Sequence, residues 1–297
     1  MNLKKKNGWL LIDKPIGVTS NFVLQKVRKV FENCKAGFVG TLDPLASGYL
    51  PVALGSATKL ISFIESDIKT YLFTTKWGFR TDTGDLEGTI IEKKNNYPTK
   101  IEIEKKLQSY EGKLKQKTPK YSSVKINGLR AYELARRDIP FKTKDRVIFI
   151  KKIRLKRVIS KENAIFEVQC SSGTYIRSLA ESIAASLDTV GTLIELRRLT
   201  RDDLNKKLIS LDYLLSLVHS GNQNKLIYPI DTIFDKKISR IRLNDMEVKK
   251  VLTGNFIEMR TKHENDNDLV LATYEDDFVA LGIIKKSNFH PKKLLVS

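Results

Sequence analysis

The residues best suited to chemistry lie in one segment, Gly37-Phe38-Val39-Gly40-Thr41-Leu42-Asp43-Pro44-Leu45-Ala46-Ser47-Gly48, where Asp43 is the single carboxylate. Pro44 disfavours helix at the residue before it and pushes Asp43 extended. The dipeptide also suits a helix start, with Asp43 as cap, Pro44 at the first position and Gly48 ending the turn. The two readings are compatible. A carboxylate on a glycine-flanked turn between packed elements is rigidly held yet exposed, as an acid, base or nucleophile must be. Other chemistries lack their residues. Cys34 and Cys170 are far apart and form no C-x-x-C pair. His219, His263 and His290 have no metal-ligand spacing. Neither G-x-x-x-x-G-K-[ST] nor G-x-G-x-x-G occurs. A zinc deaminase, a histidine-based hydrolase and a base methyltransferase are disfavoured, and no metal or cofactor is expected.

Elements that would position this segment can be read on both sides. Gly8–Asp13 reads as a strand and Lys14–Gly17 as a turn. Thr19 or Ser20 can then cap a helix with Val23, Val27, Val30 and Phe31 on one face. Residues 37–48 read as a loop, Leu50–Leu54 as a buried strand and Ala57–Ile64 as a short helix. Thr70–Phe79 alternates as a strand does. Lys100–Ser109 suits a helix, and Asn127-Gly128 is a strong turn signal. Arg146–Ile159, Ala164–Cys170 and Leu193–Leu199 read as strands. Tyr175–Leu187 reads as a helix with Ile176, Leu179, Ala180 and Ile183 on one face. This mixture predicts an α+β fold with a largely antiparallel sheet. From Ile238 onward the chain is nearly neutral and short-stranded, with a polar loop at His263–Asp268 and a hairpin from Leu269–Thr273 and Phe278–Ile284. The expected division is a domain over 1–237 and a small β-rich domain over 238–297.

The 297 residues carry 53 Lys plus Arg against 34 Asp plus Glu, a net charge of +19. The excess is concentrated: residues 91–160 hold 21 basic and 7 acidic side chains, whereas residues 240–297 hold 10 and 9. The basic stretch still carries apolar alternation and the aromatics Tyr97, Tyr110, Tyr121, Tyr132, Phe141 and Phe149, so it reads as folded. A folded surface of one sign fits a polyanion, nucleic acid or an anionic membrane. No apolar run approaches the ~20 residues of a membrane span, and the first residues lack a signal-peptide core. A soluble, cytoplasmic protein is expected.

Lys14-Pro15-x-Gly17-x-Thr19-Ser20 followed by Gly40-Thr41-Leu42-Asp43-Pro44-Leu45-Ala46-Ser47-Gly48-x-Leu50-Pro51 closely resembles the TruB-type tRNA pseudouridine synthases. The resemblance runs on collinearly through Ala57-Thr58-Lys59, Lys69-x-Tyr71, Thr81-Asp82-Thr83-Gly84-Asp85, Pro119-x-Tyr121-Ser122-x-x-Lys125, Tyr132-x-x-Ala135-Arg136, Gly173-Thr174-Tyr175-Ile176-Arg177-Ser178-Leu179 and Leu196-Arg197-Arg198-Leu199. It implies a mixed α/β catalytic domain, a C-terminal domain of the PUA type, and conversion of uridine 55 in the tRNA T-loop to pseudouridine, a rearrangement that needs no cofactor. It also implies a stand-alone monomer that engages the tRNA T-arm, without the guide RNA and protein partners of archaeal and eukaryotic relatives.

The same resemblance makes Asp43 the essential carboxylate, acting either as nucleophile at C1′ or as base at C2′. Arg177 is implied as its partner, since a nearby guanidinium favours the ionised carboxylate. An arginine in the first turn of a helix is disfavoured, which independently suggests an anionic neighbour. Tyr71 is implied to stack on the flipped uracil and to take the C5 proton, although its alternation with Phe73 and Thr75 also suits plain strand core. Leu196 is implied to line the base pocket, and Asp85 to orient the substrate or simply to form the turn. Lys59, Lys125, Arg130, Arg136 and Arg137 are expected to meet phosphates, and Lys14 to support the Asp43 loop. Phe38 replaces the histidine usual after the glycine; it can stack or wedge but cannot hydrogen-bond RNA. A non-catalytic RNA-binding module would share the charge and the C-terminal domain but would not need Asp43, Tyr71 and Arg177 together.

Overall fold

The computed structural model describes residues 6–64, 68–200, 204, 206–218, 221–234, 238–259, 267–275 and 277–295. Strands β1 (Gly8–Lys14), β2 (Ala36–Phe38), β3 (Ala46–Leu54) and β4 (Lys69–Trp77) come first, then a hairpin of β5 (Phe79–Thr81) and β6 (Ile90–Lys93). They are followed by β7 (Gly112–Gln116), the hairpin β8 (Lys125–Ile126) and β9 (Leu129–Arg130), β10 (Arg146–Ser160), β11 (Asn163–Cys170), β12 (Gly191–Arg198) and β13 (Ile209–Ser210). Among them lie helices α1 (Ser20–Val30), α2 (Ile61–Ile64), α3 (Lys100–Leu107), α4 (Ala131–Arg136), α5 (Ile176–Ser186) and α6 (Leu211–Ser216).

Nine strands build one sheet in the order β13-β1-β3-β12-β4-β11-β10-β7, with β2 also paired to β3. The β1–β13 and β3–β12 pairs are parallel and the rest antiparallel. The α+β class with a largely antiparallel sheet is therefore as expected. The pleat explains the packing. Tyr71, Phe73 and Trp77 alternate along β4, and Ala164, Phe166, Val168 and Cys170 along β11, toward one core. Phe73 stacks on Phe166 at 5.1 Å between centroids. Helix α5 closes that core with Ile176, Leu179, Ala180 and Ile183, the stripe its spacing predicted.

Local differences from the sequence reading have physical causes. Residues 37–48 are a loop only in their middle. Their ends extend into β2 and β3, because partner strands supply the hydrogen bonds that Gly-rich sequence does not advertise. Asp43 caps no helix; its carbonyl closes a single turn on the Ala46 N–H at 3.0 Å, and Gly48 continues β3. The expected helix 100–109 ends as a tight turn at Gln108–Tyr110, after an N-terminal capping box between Thr99 and Glu102. The strand expected over 70–79 breaks at Gly78, whose φ of +97° bends the chain into β5.

The C-terminal region forms a second sheet in the order β14 (Ser239–Arg242), β16 (Leu269–Tyr274), β17 (Asp277–Lys285), β18 (Asn288–Leu294) and β15 (Ile257–Glu258), beside helix α7 (Asp245–Leu252). The expected hairpin is β16–β17; most of the expected polar loop at 263–268 lies outside the described residues. The two sheets share a core: Leu271, Leu281 and Leu295 pack with Trp9, Leu11, Ala53, Ala57 and Leu60. The Trp9 indole N–H donates to the Ile230 carbonyl at 2.7 Å within the same core.

Candidate active site

The Asp43 loop is fastened residue by residue. Thr19 is the cap of α1, accepting from the Phe22 N–H at 3.0 Å. Ser20 turns instead to the loop: its hydroxyl accepts from the Leu42 N–H at 2.8 Å and donates to the Leu42 carbonyl at 3.1 Å. The Gly17 N–H donates to the Pro44 carbonyl at 2.8 Å. Beneath the loop lies the fully buried Lys14, whose ammonium donates to the carbonyls of Val18 (2.6 Å), Pro15 (2.9 Å) and Pro44 (3.4 Å). Burial lowers its pKa to about 8, with Asp43 opposing the shift. Lys14 thus stands under the Asp43 loop, as the sequence reading expects.

Arg177, second residue of α5, reaches the carboxylate. Its Nε lies 3.0 Å from Asp43 Oδ2, with Arg177 7% and Asp43 39% exposed at the side chain. Nη1 lies 3.6 Å from Asp85 Oδ2 and donates to the Thr83 carbonyl at 2.9 Å; Nη2 donates to the Tyr121 carbonyl at 2.9 Å. Two carboxylates and two carbonyls thus offset the cost of a cation at a helix N-terminus. The α5 N-terminus is itself fixed by Gln116, whose side-chain amide exchanges hydrogen bonds with the Tyr175 N–H (2.8 Å) and carbonyl (3.0 Å). Sequence reading missed Gln116, because its partner stands 59 positions away.

Asp85 is buried in a turn. It accepts from Thr83 Oγ1 at 2.7 Å and the Glu87 N–H at 3.0 Å, so turn formation and the Arg177 contact coexist. Helix α5 contributes a further carboxylate, Glu181, whose pKa burial raises against the pull of Arg80, Arg177 and Lys117. Tyr71 lies nearly buried on β4, opposite Val168 and Arg198. Burial pushes its phenol pKa up; the hydrogen-bonded Arg198 guanidinium pulls it down, and Asp43 is close enough to add a smaller upward push. Leu196, opposite Phe73 and Ala46, joins the same core face. Asp43, Arg177 and Asp85 are thus joined directly, Tyr71 lies within electrostatic reach of Asp43, and Leu196 shares the core face of Tyr71.

The remaining expected contacts scatter. Phe38 is half-buried on β2 and packs against the main core. Lys125, Arg130, Arg136 and Arg137 lie exposed on the β8–β9 hairpin and α4, an arm whose root is the Tyr121 carbonyl held by Arg177. Within the arm, Arg130 donates to the Ser123 carbonyl at 2.6 Å and Arg136 lies over the Tyr132 ring. Lys59 differs: its ammonium donates to the Leu294 carbonyl at 2.7 Å, joining the two sheets. Among the described residues no group of three His, Cys, Asp or Glu side chains could hold a metal ion, and no helix is long and apolar enough to cross a membrane.

Known proteins share both fold and sequence. The structure titled "Structure of H/ACA RNP bound to a substrate RNA containing 2'-deoxyuridine" superposes with a TM-score of 0.74 at 23% identity, over 98% of this chain and 86% of that one. "Crystal Structure of a Cbf5-Nop10-Gar1 Complex" gives 0.70 at 25% identity, over 98% and 85%. Residues 28–176 match the model described as TruB family pseudouridylate synthase (N terminal domain). Fold and sequence together define a pseudouridylate synthase, an isomerase that exchanges a nitrogen–carbon glycosidic bond for a carbon–carbon one. Within that class the chain belongs to the TruB family. It is 37% identical to the tRNA pseudouridine synthase B of Aquifex aeolicus (strain VF5), over 98% of this chain and all of that protein. It is 34% identical to that of Bartonella henselae, over 97% and 95%.

Proposed function

We propose that this enzyme converts uridine 55 in the T-loop of tRNA to pseudouridine, with Asp43 as the reacting carboxylate. The observation that carries the reading is the Asp43–Arg177 ion pair, which seats one carboxylate on a buried guanidinium while leaving it partly open to solvent, with a nearly buried tyrosine in the same region. The target uridine is extruded from its folded loop, at a cost of ~a few kcal/mol that stacking and phosphate contacts offset. Asp43 acts on the ribose, as nucleophile at C1′ or as base at C2′, while the C1′–N1 bond breaks and positive charge grows on the sugar. The freed uracil, whose N1 keeps the electron pair of the broken bond, rotates, and C5 bonds to C1′ as Asp43 either leaves C1′ or returns the C2′ proton; the proton lost from C5 is matched by one gained at N1, so the composition is unchanged. Tyr71 stacks on the base and serves as acceptor for the C5 proton; burial raises its phenol pKa, and the Arg198 cation offsets part of that rise. Leu196 lines the pocket and Asp85 holds Arg177 in place.

The exposed arginines and lysine of the β8–β9 and α4 arm supply phosphate contacts, and residues 238–297 act as a PUA-like RNA-binding domain beside a catalytic domain over 1–237. The enzyme acts alone on tRNA as a cytoplasmic monomer. Names of relatives acting on tRNA, together with the basic arm, support this reading. The test is Asp43→Asn on unmodified tRNA, with pseudouridine mapped by position. Product at position 55 should vanish while tRNA affinity changes by less than about threefold. Wild-type activity in the variant would remove Asp43 from the chemistry, and product at another uridine would remove the assigned position.

A further inference from the structure

Arg198 is the last residue of β12, in register with Gly48 of β3 on one side and Tyr71 of β4 on the other. Its side chain is buried. Nε donates to the Tyr49 carbonyl at 2.5 Å, Nη2 to the Val39 carbonyl at 3.1 Å and Nη1 to the Gly40 carbonyl at 3.3 Å. Tyr71 stands directly opposite Arg198 across the β12–β4 pair, so the two side chains share one face of the sheet. One rigid planar fork therefore joins β3 to the entry of the Asp43 loop and lies beside the Tyr71 side chain. Room is made for it at Gly40, which has a φ of +66° and where an added Cβ would lie 2.9 Å from Arg198 Nη1. Burying a cation among carbonyls is an expensive way to fill a core, and an apolar side chain of that volume is often as stabilising. The fork's distinct property is geometric.

Resting on the reading of Asp43 and Tyr71 as partners on one nucleotide, we propose that Arg198 is a positioning residue. It fixes the Tyr71 phenol relative to the Val39–Gly40 root of the Asp43 loop and makes no contact with the RNA. Drift of ~1 Å between reacting groups can cost ~100-fold in rate. Lysine cannot replace it, since an ammonium presents a point charge in place of a fork.

The experiment compares full-length wild type with Arg198→Lys in single-turnover pseudouridine formation and tRNA binding. Both proteins also carry 3-fluorotyrosine, so that the Tyr71 fluorine resonance, assigned with Tyr71→Phe, reports on the phenol. For Arg198→Lys the rate should fall by about 30- to 100-fold, affinity should stay within about twofold, and the Tyr71 resonance should move. A rate within about threefold of wild type, or equal losses in rate and affinity with the resonance unmoved, would overturn the proposal. If Arg198→Lys does not fold, Gly40→Ala presses a methyl against Nη1 while keeping the charge, and the same rate-selective loss is expected; an unchanged rate counts against the proposal. Wild type that forms no pseudouridine in tRNA would refute the functional reading, whereas active wild type with equally active variants refutes the role of Arg198 alone.

Discussion

Asp43 and Arg177 are one ion pair but not one energetic unit. Asp43 is substantially exposed, whereas Arg177 also meets the buried Asp85 and two carbonyls. Removing an exposed partner costs little; leaving a buried carboxylate without its cation costs much. Asp43→Asn should therefore change unfolding free energy by less than about 1 kcal/mol, while Arg177→Met should lose about 3–5 kcal/mol, both read from urea titrations. Lys14 makes a prediction with a definite sign. Its pKa of about 8 in the folded chain lies below the ordinary 10.5, so the unfolded chain binds more protons between those values. Stability then rises with pH across that window. Melting curves of wild type and Lys14→Met should diverge in favour of wild type from about pH 8 to 10.5, and parallel curves would show that Lys14 titrates normally. At this scale the sequence was legible where residue type was unusual for its place: Asp43 before proline, Arg177 at a helix start. The burial of Lys14 and Arg198 was not, because carbonyl partners are made by backbone path and carry no residue signature.

Element boundaries follow from local pattern wherever a stripe or alternation is strong, as in α1, α5 and β11. Pattern failed at β2 and the start of β3, where strand character comes from pairing across the sheet. The β8–β9 hairpin was legible from Asn127-Gly128, both of which take positive φ. Its junction with α5 through Arg177 and the Tyr121 carbonyl was not, since 56 residues separate the two. The arm's exposed Arg136 and Arg137 predict an electrostatic role. Reversing both to Glu should weaken tRNA binding and reduce the slope of log affinity against log salt by about one to two. An unchanged slope in titrations at several salt concentrations would take the arm off the RNA.

Considered whole, the chain is two sheets around a seam that local sequence does not reveal. Composition separated the basic middle from the neutral C-terminal region, yet Trp9 and Leu11 near the start pack with Leu271, Leu281 and Leu295 near the end. Removing residues 238–297 would therefore uncover apolar surface of the larger sheet as well as delete a domain, and loss of stability should accompany any loss of tRNA capture. Leu281→Ala should cost about 2–5 kcal/mol and lower a single calorimetric transition that includes both sheets. Two separable transitions, with only one shifted, would show that they unfold independently. The Lys59–Leu294 hydrogen bond adds a polar stitch to the same seam. Two bodies welded in this way work like a caliper: the span between Asp43 and the far sheet is set during folding. On the proposed reading a tRNA arm spans that fixed gauge, and lengthening the arm by one base pair should weaken its binding; equal affinity for both lengths would show that the second sheet does not measure the RNA.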